Sequence, residues 1–171
     1  MKLPTVNPDG QALAKASVTD ELVANSQAYA WNSQNIDIAA AGTIIALRND
    51  SPDQDLVVER MILSAGNADT RYEVHKVTAA YTPATGANGA VILGVPMGPG
   101  GGKAPVECRS NETGNAQVAA NVFMEVTLLI TTTIELQVGL VLGGGEAIAV
   151  DQVTESTAGA VILFGYFVDR E

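Results

Sequence analysis

Residues 42–63 read GTIIALRNDSPDQDLVVERMIL. A β-branched run from Thr43 to Leu47 meets the cluster Asn49-Asp50-Ser51-Pro52-Asp53, and a second apolar run follows from Leu56 to Leu63. Asn, Asp and Ser side chains bond back to the nearby backbone, and Pro presets φ, so such a cluster turns the chain. Apolar runs of five to eight residues bounded by turn formers read as strands, because a packed helix needs about 10 residues or more. The segment therefore reads strand–turn–strand.

The same texture extends in both directions. Between Arg71 and Val77, Tyr72 and Val74 fall on one face and Arg71, Glu73 and His75 on the other, the period of a half-buried strand. Ala90 to Val95 is a further apolar run, closed by Pro96. Val122 to Ile130 resumes the pattern, and Ile134, Leu136 and Val138 alternate with Glu135 and Gln137. Gly143-Gly144-Gly145 turns the chain into Glu146–Val150, where Ile148 and Val150 point the same way. Residues 160–168 (AVILFGYFV) close the series. Eight or nine short strands without periodic helices between them predict an all-β fold, an antiparallel β-sandwich or barrel, and argue against a doubly wound α/β sheet.

Residues 1–41 differ in texture: rich in Ala, with Pro4 and Pro8 near the start and little periodicity. They read as an N-terminal arm, or as a short helix capped by Thr19-Asp20-Glu21, ahead of a sandwich spanning 42–171. The opening MKLPTVNPDG lacks the apolar core of a signal peptide. The apolar stretch Ala158–Val168 has eleven residues, against about 20 for a spanning helix. The expectation is a protein made in a cytoplasm, without a membrane anchor.

Composition narrows the chemistry. The chain of 171 residues carries 19 acidic and 9 basic side chains, one His and one Cys, for a net charge of −10. That charge disfavours nucleic acid and anionic membranes, both of which select basic faces. A single Cys forms no internal disulfide and excludes a Cys-built zinc site. Residues 112–171 hold eight acids and one base, so the acidic excess is concentrated late in the chain.

Each chemically suggestive cluster has a plainer reading. Gly98-Pro99-Gly100-Gly101-Gly102-Lys103 lacks the spacing of a phosphate loop, since Lys103 is followed by Ala104 and Pro105. It reads as a long surface loop reaching to about Asn115, a place for an interaction. Asp50, Asp53 and Asp55 suit a hard cation such as calcium, but the spacing is not that of a helix–loop–helix site, and a solvated turn accounts for them. His75 and Cys108 make a nucleophilic pair only if the fold joins a strand to a loop. No catalytic residue and no cofactor is expected. Tyr29 and Trp31 have the spacing to share a face, either as anchors for the arm or as a stacking platform for sugars. Phe164, Tyr166 and Phe167 are three of the eight aromatics and sit in a run apolar on both faces. Such a strand lies centrally in a sheet or meets another subunit.

The order of segments carries one resemblance. Ala28–Trp31 (AYAW), Gly42–Leu63, Glu112–Asn115 (ETGN), Leu140–Val153 (LVLGGGEAIAVDQV) and Gly165–Phe167 (GYF) together resemble small bacteriophage and prophage virion proteins of the capsid decoration, cement or head-fibre type. The resemblance spans most of residues 28–168. It implies a β-sandwich or jelly roll, often homotrimeric, bound to the major capsid protein or another virion protein on the outside of a head. No catalytic residue transfers with it. The alternative expectation is a carbohydrate- or receptor-binding module of a tail or fibre.

Overall fold

The computed structural model describes residues 27–38, 42–77, 90–112, 121–154 and 157–170. Twelve strands run in chain order: β1 (Ala28–Asn32), β2 (Ile36–Ile38), β3 (Gly42–Asn49), β4 (Gln54–Ala65), β5 (Thr70–Val77), β6 (Ala90–Val91), β7 (Val95–Pro96), β8 (Val106–Glu112), β9 (Val122–Leu128), β10 (Thr133–Leu142), β11 (Ala147–Gln152) and β12 (Thr157–Asp169). They form two antiparallel six-stranded sheets. The first has the order β10-β4-β12-β1-β7, with β2 also on β12; the second is β6-β8-β3-β11-β5-β9.

The pairings nest: β1 with β12, β3 with β11, β4 with β10 and β5 with β9. One long antiparallel hairpin is thus folded over so that successive nested pairs alternate between sheets, which is the connectivity of a jelly roll. The predicted all-β sandwich is the observed architecture, and the terminal apolar strand β12 is central, between β4 and β1.

The strand–turn–strand at 42–63 becomes β3 and β4, and its turn is held by its own side chains. Asn49 Nδ2 donates to the carbonyls of Gln54 and Leu142, while its Oδ1 accepts from the Ser51 amide. Across β4 and β10 the register slips between Gln137 and Leu140, where Gly139 takes φ +61°, a conformation open to glycine at no steric cost.

The core lies between the sheets. Leu56, Val58, Met61 and Leu63 from β4 and Val161, Leu163 and Phe167 from β12 meet Ile45, Leu47, Tyr72, Val74, Ile148 and Val150 from the second sheet. Tyr72 crosses the core to donate from its hydroxyl to the Ser64 carbonyl, 2.7 Å away, and burial pushes its pKa up to about 12.

Two boundaries differ from expectation. The sandwich begins at Ala28, not Gly42, because β1 pairs along its whole length with β12 and supplies Trp31 to the core. The choice between a helix and an extended arm for residues 1–26 lies outside the described residues. The loop expected to run from Gly98 to Asn115 is broken by β8, which adds to the edge of β3.

Candidate interaction surface

The side chains singled out for chemistry are pulled apart by the fold. Cys108 sits in β8 with its side chain in the core, and burial pushes its thiol pKa up, with the charge of Glu107 adding to the effect. His75 sits in β5, separated from β8 by β3 and β11. Three strand spacings amount to about 14 Å. His75 also follows the parity opposite to the core residues Tyr72 and Val74, so the two groups occupy different faces of the sheet and make no nucleophilic pair.

His75 was expected on a polar, solvated face, yet its side chain is 1% exposed. It lies 2.7 Å from Asp151 through Nε2 and Oδ2, although the two atoms are not aligned for a hydrogen bond. The other carboxylate oxygen of Asp151 accepts from the buried Thr43 hydroxyl. Alternation fixes the face on which a residue stands but not whether that face is wet.

The carboxylates of the β3–β4 turn do not gather around a vacant centre. Asp50 pairs with Arg48, and Asp55 pairs with Arg170. The Arg170 guanidinium also donates to the carbonyls of Pro52 and Gln54, and its backbone amide donates to the Asp53 carbonyl. A guanidinium thus holds the Asp55 carboxylate and two turn carbonyls, oxygens of the kind a hard cation would draw on. Among the described residues no group of three or more His, Cys, Asp or Glu is placed to hold a metal.

Tyr29 and Trp31 do share a face, but it is the inner one. Trp31 is fully buried and Tyr29 is 7% exposed, with ring centroids 5.9 Å apart; Phe167 meets Tyr29 edge-on at the same distance. They anchor β1 into the core and cannot serve as a platform for a sugar. Phe167 is likewise a core residue, which removes it from the expected subunit contact.

Phe164 and Tyr166 point the other way, onto the outer face of the first sheet, and the register shows what surrounds them. One row across the strands runs Val141–Val57–Tyr166–Ala28, and Met97 joins it by donating its amide to the Ala28 carbonyl. The next row runs Gln137–Arg60–Phe164–Ala30–Val95. A third runs Glu135–Ile62–Ile162–Asn32. Val95 is 64% exposed, Val141 48% and Met97 38%, and the aromatic and Ile positions between them are half-buried. Within these rows the charged groups are Arg60 and Glu135, which pair at 3.2 Å. The Arg60 guanidinium also lies 4.1 Å above the Phe164 ring, a cation–π contact. Partial burial, and then the nearby Glu59 carboxylate, raise the Tyr166 pKa.

Local periodicity in β12 could flag Phe164 and Tyr166, but Val57, Val95 and Val141 join them only through long-range pairing. No protein-family model, curated protein or solved structure matches the chain.

Proposed function

We propose that this chain is a non-enzymatic structural protein of a bacteriophage virion, a decoration or cement protein that binds the outer surface of the head as a homotrimer. The observation that carries the reading is the largely apolar outer face of the first sheet on a chain of net charge −10. An assembled protein needs such a face, whereas a freely dissolved monomer rarely keeps a large one. The acidic remainder is repelled by packaged DNA, which favours the outside of a shell. The resemblance of residues 28–168 to small virion proteins points the same way. Three copies binding one capsid site would sum weak contacts through effective concentration.

The sugar- or receptor-binding alternative rested on Tyr29 and Trp31 standing side by side at the surface, and both are in the core. The test of the virion role is sedimentation of purified protein with phage heads that lack it. Saturable co-sedimentation with heads that then resist heat better is expected; protein that stays in the supernatant at every concentration overturns the reading.

A further inference from the structure

We infer that the outer face of the first sheet, centred on Phe164 and Tyr166, is where a second copy of this chain docks. The inference rests on the self-assembly in the function proposed above and not on the virion role itself.

The face is five strands wide, β10-β4-β12-β1-β7. At about 4.8 Å per strand and 3.3 Å per residue, ten residues each of β10, β4 and β12 with the short β1 and β7 cover roughly 600 Å². That is the lower end of the area each partner contributes to a standard specific interface. Its composition follows the anatomy of such an interface: aromatic and aliphatic side chains at the centre, with an arginine laid over an aromatic ring.

Two copies of an acidic chain repel wherever their carboxylates approach. On the three rows described, the charged groups are Arg60 and Glu135, which pair with each other. Rows whose charges cancel, on a chain of −10, are where two identical molecules meet with least repulsion.

Val95 and Met97 extend the apolar surface past β1 onto an edge strand, so the patch does not stop at the sheet centre. Pro96, which has no N–H, blunts that edge against strand addition. The contact is therefore between faces and not an extension of the sheet.

The experiment is sedimentation velocity on the full chain between 1 and 100 μM protein, concentrations of the order at which modest interfaces form. The wild type is expected at the mass of three chains. The double variant Val95→Glu and Val141→Glu adds charge at two exposed flanks of the patch, where folding tolerates it. It is expected to weaken association by about a hundredfold, since like charges juxtaposed across an interface cost several kcal/mol. Phe123→Glu, an exposed site on β9 in the other sheet, is expected to leave the mass unchanged. Circular dichroism on each variant separates lost assembly from lost fold. Should Val95→Glu/Val141→Glu unfold, Val95→Ser/Met97→Ser at the exposed edge of the patch gives the same readout with a smaller expected loss. A wild type that is a single chain throughout, or a folded double variant that keeps the wild-type mass, overturns the inference. A single chain that still binds heads overturns it while the virion role stands; an oligomer that ignores heads does the reverse.

Discussion

His75 Nε2 and Asp151 Oδ2 lie 2.7 Å apart on neighbouring strands β5 and β11, with side chains 1% and 5% exposed, on the face of the second sheet that looks away from the core. Alongside them Ala46, Ala147 and Ala149 form a small buried cluster of their own. The sheet is thus buried on both faces in this region, and a polar pair has been placed where water is scarce. Such a pair contributes less than its geometry suggests, because desolvation offsets attraction; breaking it is what costs.

His75→Leu is therefore expected to destabilise the protein by about 3–5 kcal/mol, by leaving the Asp151 carboxylate buried with Thr43 as its remaining partner among the described residues. Replacing both residues, as His75→Leu with Asp151→Val, should recover most of that loss. Urea unfolding of the three proteins checks the pattern. A single variant within about 1 kcal/mol of wild type would show that the pair is not buried as described.

The pair also shows what the sequence conceals. Strand after strand was legible, because β4, β5, β10 and β12 each carry the period-2 signal or a bounded apolar run. The alternation of Tyr72 and Val74 against His75 does divide two faces of β5. Whether the His75 face was dry depended on neighbours far away in the chain, which local pattern does not encode. β8 escaped for a related reason: its inward residues Cys108 and Ser110 are small and interrupted by Glu107, Arg109 and Asn111, so the alternation was masked. β1 is five residues long, too short for a convincing period, and its pairing with β12 spans more than 130 positions of sequence. Nested pairing on that scale defines the fold and leaves no local trace. The same holds for the surface patch, whose centre was legible in β12 while its flanks were not.

Trp31 is the only tryptophan, so its fluorescence reports the core directly. Its emission is expected to be blue-shifted in the folded protein and shielded from acrylamide, moving to the red only on unfolding. Trp31→Ala should cost about 3–5 kcal/mol, as for other large buried rings, and not merely abolish binding to a sugar. Gly94→Ala is expected to be damaging at the same place, because an added Cβ would come 2.7 Å from Trp31 Nε1 and 3.1 Å from its ring. A readily quenched Trp31 in the native protein would contradict the placement of β1.

Cys108 is expected to be inert. Its side chain is buried in the core, and burial, reinforced by Glu107, raises its pKa, so little thiolate forms at neutral pH. Labelling by a thiol-specific disulfide reagent at pH 8 should be negligible in the native protein and rapid in denaturant. Prompt native labelling would place Cys108 in an exposed loop after all.

Glu146 supplies the pH dependence that can be assigned. Its carboxylate lies 2.8 Å from Lys76 Nζ and accepts the Gly143 amide at 2.8 Å, closing the triple-glycine turn between β10 and β11. The Lys76 hydrogen bond first, then the Gly143 amide, hold its pKa below the usual carboxylate value. The unfolded chain therefore binds more protons through the acid range, and stability falls as pH falls there. This contribution is complete above the ordinary glutamate pKa of about 4.3 and is lost as pH drops through the lowered folded value. Glu146→Gln keeps an acceptor for the Gly143 amide but removes the charge, and should cost about 0.5–1 kcal/mol at pH 7, in keeping with a partly exposed pair. The difference from wild type should shrink in high salt and fade as pH drops through the lowered folded pKa, where Glu146 loses its charge. Urea midpoints for the two proteins from pH 7 to pH 2.5 test it. A constant gap across that range would assign the loss to packing in the turn and not to the Glu146 charge.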